Sequence, residues 1–385
     1  MVIGILNETS DKRVAVVPAL VQKLVKEGHS VYFEKGAGLT ASVTDTAYEE
    51  AGAISKERNS ILEESDFIPT IHPISKDEAT QLKANATLLT LLQPFQTDEF
   101  YKGLSVKEIT AFSFDMIPRS TIAQSMDVLS SMASIAGYKS VLTAADLLPR
   151  YIPMLSTAAG TIPPAKVLIL GAGVAGLQAI ATAKRLGGQV EAFDTRPAAK
   201  EEVQSLGAKF VEVEGAADAS NAGGYAVEQT EEYKQKQKAL IEEKVQKADV
   251  IITTAQLRGK PAPTLITEEM VKSMKEGSVI IDLASSTGGN CALTEDEKTV
   301  VKHGVNILGS SQLAAEVPEH ASQLFSRNIE NFLKILLVEG QLTLDFSNDI
   351  LRSSCVIYNG QSVYGETDSL IKKNTEAEKE EAIEA

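Results

Sequence analysis

The chain has 385 residues, enough for two domains with separate cores, and its 43% hydrophobic content is that of an ordinary globular protein. A formal net charge of −15 argues against a nucleic-acid partner, which requires a basic surface. Two cysteines, Cys291 and Cys355, are too few for a disulfide framework and point to a reducing compartment, and no cluster of Cys, His and carboxylate has metal-site spacing.

Residues 1–6 read as a strand, 18–27 as a helix stopped by Gly28, and 30–33 as a second strand. Residues 45–51 and 56–63 read as helices. Residues 66–70, 87–92 and 106–112 read as further strands, with 97–103 a helical linker. Such alternation predicts a mostly parallel sheet. The region has no G-x-G-x-x-G, so the expectation is a dinucleotide-domain shape that does not hold the phosphates. From about Thr121 to about Leu148 the pattern is helical, a natural connection between domains. Gln124, Asp127 and Ser130 then fall at i, i+3 and i+6 and share a broad face, with Arg119 just upstream. A solvated polar face has the same spacing.

Residues 166–194 read KVLILGAGVAGLQAIATAKRLGGQVEAFD. An apolar run (167–170) suits a buried parallel strand. Gly171, Gly173 and Gly176 follow in G-x-G-x-x-G spacing: the first for a tight turn, the second for close approach of backbone to a pyrophosphate, the third for close packing of helix on strand. A helix, a second strand and Asp194 complete the unit, with the acid about 20 residues on, as the motif requires. The helix N-terminus offers N–H donors to phosphates. Asp194 suits the adenosine ribose hydroxyls and repels a 2′-phosphate, which favours NAD(H), although Arg196 is a residue type that accepts such a phosphate. The apolar stretch 167–183 contains glycines and Gln178 and fits strand–turn–helix, so direct membrane insertion is not expected; nor does a basic start lead into an apolar leader.

Farther on, 201–206 read as helix and 210–213 as strand. Residues 214–225 (EGAADASNAGGY) have the length and composition of a lid or of a plain surface loop, with Tyr225 beside Gly223 and Gly224. Residues 230–247 and 267–274 read as helices, and 250–254, 278–283 and 304–308 as strands. The turn 285–290 (SSTGGN) follows the carboxyl end of its strand, where open α/β sheets bind ligands, and Asp282 reads as a loop cap. Residues 318–340 form a second long helix that returns the chain to the first domain, and 371–385 are a charged tail or linker. The expected fold is α/β: two Rossmann-like domains with mostly parallel sheets joined by long helices. The first comprises 1–130 and 320–370; the second, 131–319, binds the dinucleotide.

These motifs carry a resemblance over nearly the whole chain. KRVAVVP (12–18), R-x4-Q-x2-D at Arg119, Gln124 and Asp127 followed by Ser130, GAGVAGLQAIATAKRLG with FDTRP, AGGYA (222–226) and GGNC (288–291) together resemble the NAD(H)-binding component, domain I, of proton-translocating transhydrogenases. The resemblance implies that Arg119, Gln124 and Asp127 act at the reacting nicotinamide, with Ser130 beside them. It implies a cofactor site that also includes Gly171, Gly173, Val174, Ala175, Gly176, Asp194, Thr195, Arg196, Gly223, Tyr225, Ala255 and Leu257, and no metal. It further implies a homodimer, a partner domain holding NADP(H), a proton-conducting membrane domain, and a peripheral position on the cytoplasmic side of a membrane, or the matrix side in an organelle. Hydride passes directly between the two nicotinamides in that family, so positioning carries the catalysis. Departures from the family pattern are Ser286, where a Glu is usual, and VEQ after the AGGYA tyrosine and alanine, where a basic residue is common. An alanine dehydrogenase-like enzyme shares the Arg13 region but needs a Lys near 67–71 and a His near 87–92. This chain has neither; Gln93 follows Leu92, and His72 reads as structural. A non-catalytic NAD(H) sensor is the third reading.

Overall fold

The computed structural model describes residues 1–93, 107–213, 230–257 and 259–364. It divides into two compact units: Met1–Met132 together with the chain from Pro318 onward, and Ala133–Val317. The sequence expectations at 97–103, 214–225 and 371–385 lie outside the described residues.

The first unit is built on an eight-stranded sheet. Its strands run in the order Gln361–Ser362, Cys355–Tyr358, Thr110–Ser113, Thr87–Thr90, Phe67–Pro69, Val2–Ile5, Ser30–Glu34 and Ile54–Lys56. The last six are mutually parallel; the first two add an antiparallel edge. The central strands Phe67–Pro69 and Thr87–Thr90 are buried at every residue, as strands covered on both faces must be. The helix Pro18–Lys26 starts on a proline at its first position, buries Leu20, Val21 and Leu24, and gives way at Gly28, whose φ of +88° only glycine adopts without strain. The helix Pro318–Leu336 buries a stripe that includes Phe325, Ile329, Phe332 and Leu336. Phe332 sits edge-on to Phe112 and Phe114, with ring centroids 5.3 and 5.8 Å apart.

Four expectations need correction here. The helix expected over 318–340 ends at Leu336, and Leu337–Val338 instead pairs antiparallel with Gln341–Leu342. The helix expected from Thr121 begins only at Val128, after a 3-10 turn at Gln124–Met126. Gln124, Asp127 and Ser130 therefore do not share one helical face. Lys56 belongs to the strand Ile54–Lys56, and the helix is Arg58–Glu64. The C-terminal helix Asp349–Ser354 and the strands from Cys355 onward were not anticipated.

The second unit holds a seven-stranded sheet in the order Lys209–Phe210, Gln189–Phe193, Lys166–Leu170, Val250–Thr253, Val279–Asp282, Val305–Gly309 and Lys298–Lys302. Six strands are parallel, and the last is an antiparallel edge. Val167 and Ile169 enter one apolar cluster and Leu168 and Leu170 the other, so the central strand feeds a core on each face. The strand order reverses between Lys166–Leu170 and Val250–Thr253, which makes that point the topological switch of a doubly wound sheet. Register aligns the strand ends: Phe193 pairs with Leu170, Leu170 with Thr253, and Thr253 with Asp282. The chain consequently leaves the sheet side by side at Asp194, Gly171, Thr254 and Leu283.

Candidate nucleotide site

The loop after Leu170 is shaped by its glycines. Gly171 has φ +103°, and a Cβ there would lie 2.4 Å from the Thr254 hydroxyl. That hydroxyl donates to the Gly171 carbonyl at 3.0 Å, and the Thr254 amide donates to the Leu170 carbonyl at 2.9 Å. A Cβ on Gly176 would sit 1.8 Å from the Gly171 carbonyl oxygen, so only glycine lets the helix lie this close to the strand. Gly173 is the N-cap of the helix Val174–Arg185 and provides no capping side chain. Nothing lies within 4 Å of where its Cβ would be. The helix thus offers uncapped N–H groups beside open space, which fits a phosphate. Val174 is the first helical residue and is 45% exposed. Ala175 carries a contact that sequence reading missed: a Cβ on Gly137 would lie 2.1 Å from its carbonyl oxygen, so the helix Val128–Leu147 approaches the loop at a glycine.

Asp194 stands next to this loop. Its Oδ2 accepts from the Ala172 amide (2.7 Å) and from Arg196 Nη2 (3.0 Å). Its Oδ1 accepts from the Arg196 amide (2.8 Å) and from Arg196 Nε (2.9 Å). The carboxylate raises the guanidinium pKa through these bonds, against the opposing effect of burial. Thr195, between the pair, is half-buried.

Two further loops come from neighbouring strands. The Asn290 side chain, fully buried, accepts from the Ala255 amide at 3.0 Å and donates to the carbonyls of Ala255 and Pro263 at 2.9 and 2.8 Å. It fixes the loop that also presents Leu257, 36% exposed. Asp282 is fully buried and does more than the loop cap expected of it. It accepts from the amides of Ala284, Asn290 and Cys291 and from the Thr294 hydroxyl, at 2.7–3.0 Å. The GGNC turn is therefore wrapped around one carboxylate, and Gly289 is needed because a Cβ there would meet that carboxylate at 2.7 Å.

Arg119, Gln124, Asp127 and Ser130 belong to the first unit, where Arg119 and Gln124 are exposed. Asp127 caps the helix Val128–Leu147: its Oδ1 accepts from the Ser130 amide (2.9 Å) and its Oδ2 from the Ser130 hydroxyl (2.6 Å). The turn at Gln124 is tied down by Asn328 and Asn331, whose amides donate to the Ser125 carbonyl at 2.8 and 3.1 Å. Neither asparagine stood out in the sequence, because its partner lies about 200 residues away. Gly223 and Tyr225 lie outside the described residues.

Arg13, the residue shared with the dehydrogenase pattern, is 4% exposed and forks onto Asp11, with Nε–Oδ1 at 2.9 Å and Nη2–Oδ2 at 2.6 Å. His72 Nε2 is 2.8 Å from the same carboxylate. Burial works against the charge on Asp11, but the bonds from Arg13 and His72 prevail and hold it well below the usual carboxylate range. Neighbouring Glu8 is pushed up by burial, although the amides of Ile71 and His72 oppose this. Among the described residues no group of His, Cys, Asp and Glu has metal-binding geometry. Both cysteines are buried thiols.

Two family models match the chain: the alanine dehydrogenase/PNT N-terminal domain over residues 4–136 and the alanine dehydrogenase/PNT C-terminal domain over residues 140–365. An NAD(P) transhydrogenase subunit alpha protein of Rhodospirillum rubrum is 45% identical over 364 residues, covering 92% of this chain and 95% of that protein. The crystal structure of transhydrogenase from Sinorhizobium meliloti superposes with a TM-score of 0.83 at 37% identity, covering 94% of this chain and 99% of that one. An alanine dehydrogenase of Methanococcus maripaludis is more distant, at 28% identity over 94% of this chain and 95% of that enzyme.

Proposed function

The chain belongs to the alanine dehydrogenase/PNT family, and from that premise we propose that it is the NAD(H)-binding component of a proton-translocating transhydrogenase, exchanging hydride with NADP(H) on a partner domain. The observation that carries this reading is the loop after Leu170, at the switch point of the sheet: a glycine-capped helix with open space at Gly173, flanked on the neighbouring strand by Asp194. NAD(H), when bound, supplies or receives the hydride. The protein's own groups bind and orient. The helix that starts at Val174 offers amides to the pyrophosphate, Asp194 addresses the adenosine ribose, and Ala255 and Leu257 line the site. Arg119, Gln124, Asp127 and Ser130 are assigned to the nicotinamide end on the family resemblance, as Tyr225 and Gly223 are to a closing loop. No acid, base or nucleophile is required, because the step is a direct hydride transfer. The homodimer, the NADP(H) domain, the membrane proton channel and the peripheral location belong to the same proposal. No helix among the described residues is long and apolar enough to cross a membrane.

The dehydrogenase alternative is disfavoured by specific residues. Arg13, which would hold a substrate carboxylate, is already bonded to Asp11, and the strand Phe67–Pro69 is followed by Thr70 and Ile71, with no lysine. The test is direct. The purified chain should bind NADH and show no turnover with pyruvate, ammonia and NADH; steady oxidation of NADH in that mixture would contradict the proposal. Within a reconstituted complex, Gln124→Asn should slow hydride transfer by about tenfold or more while leaving NADH affinity nearly unchanged, since it alters positioning. Equal losses in both would remove Gln124 from that role.

A further inference from the structure

The acid at the end of the second strand of the nucleotide unit already has a full set of partners. A carboxylate has about four lone-pair sites. Asp194 uses two on the backbone amides of Ala172 and Arg196 and two on Arg196 Nε and Nη2, at 2.7–3.0 Å. The amides are part of the loop and cannot leave without unfolding it. The two guanidinium bonds can be exchanged by rotating one side chain, which is 24% exposed. A ribose brings two hydroxyl donors to this carboxylate. The number of donors that can leave equals the number that must enter.

We propose that Arg196 is a specificity-determining residue that occupies the ribose position on Asp194 in the free protein and acts in opposite senses on the two nicotinamide cofactors. This rests on the reading of Asp194 as the ribose acid. Toward NAD(H) the fork is a competitor, because the 2′- and 3′-hydroxyls gain Asp194 only by displacing it. Toward NADP(H) it is a partner. A 2′-phosphate cannot donate to the carboxylate, and the guanidinium matches phosphate oxygens with two parallel bonds while offsetting repulsion from Asp194. Arg196 Nη2 also donates to the Ala172 carbonyl at 3.1 Å, so the side chain is held at the mouth of the phosphate loop. The chain should therefore discriminate against NADP(H) less sharply than Asp194 alone would dictate.

The experiment is a fluorescence titration of the full chain and its variants with NADH, and with NADPH as competitor. Arg196→Ala should raise the ratio of NADPH to NADH dissociation constants by about tenfold or more, the scale of one charge-assisted bond to phosphate, with NADH binding at least as tight as before. Arg196→Lys keeps the charge but cannot bridge both carboxylate oxygens. It should tighten NADH binding and hold NADPH within about twofold, and it carries the test should the alanine variant fail to fold. A parallel change in both constants in the lysine variant, or no measurable NADPH binding by the unaltered chain, would overturn the proposal. Failure of the underlying site reading is separate: it shows as NADH binding that is absent, or that survives unchanged in Asp194→Ala.

Discussion

Asp282 shows how much one side chain decides. Four donors converge on a carboxylate with no exposed surface. Removing it leaves those donors unmet, each at about 1–3 kcal/mol. We expect Asp282→Ala to lower the unfolding free energy by roughly 3 kcal/mol or more in urea titrations, and a loss below about 1 kcal/mol would mean that water replaces it. Its place at a strand end was readable in the sequence, but its role was not. The donors come from residues 2 to 12 positions later, and only the turn through Gly288 and Gly289 brings them back. Asp194 is the contrary case: the spacing from Gly171 puts it at the end of the second strand beside the glycine loop, which is where the structure has it. What spacing could not convey is that Arg196 curls back onto it, since a partner two residues away is equally compatible with a side chain pointing to solvent.

Among the elements, the helix Val128–Leu147 is the instructive one. Helical periodicity begins at Thr121 in the sequence, yet the chain makes a tight turn first and starts the helix at Val128. Two things override the local pattern: the Asp127 carboxylate caps the helix, and Asn328 and Asn331 hold the Ser125 carbonyl. Tertiary bonds of this kind leave no trace in a window of neighbouring residues. Lys298–Lys302 was missed for another reason. It is an edge strand with exposed lysines at both ends, so its charges conceal the strand signal while protecting the edge. The parallel central strands were legible because burial on both faces forces continuous apolar runs. A glycine inside a helix costs stability and so calls for a cause, and Gly137 has one in the Ala175 carbonyl. Gly137→Ala should push the glycine loop out of place, costing about 1–3 kcal/mol of stability and, on the proposed function, weakening NADH binding. Unchanged affinity with unchanged stability would show that the helix shifts without cost.

At the scale of the molecule, the βα alternation and the two Rossmann-like folds with mostly parallel sheets were legible. Stability against pH follows from the buried cluster in the first unit. Asp11 has a depressed pKa, so its contribution is present above the ordinary aspartate value of about 3.9 and is lost as pH falls through the depressed one. Glu8 has a raised pKa, so its contribution is present below the ordinary glutamate value of about 4.3 and is lost as pH rises through the raised one. Glu8→Gln should therefore flatten the decline of stability on the rising-pH side of that window. Urea midpoints measured across the range check this, and a profile identical to that of the unaltered chain would contradict it.

The central claim is that this chain is the NAD(H) half of a hydride exchange whose other half is held elsewhere. The most direct measurement mixes the purified chain with a separately expressed NADP(H)-binding transhydrogenase domain and follows reduction of an NAD+ analogue by NADPH, with no organic substrate present. The account predicts turnover that requires both proteins and is lost with either alone. Tight NADH binding by the chain with no turnover in the mixture, despite a partner domain active with a known counterpart, would contradict it and leave a nucleotide-binding protein without the transfer function.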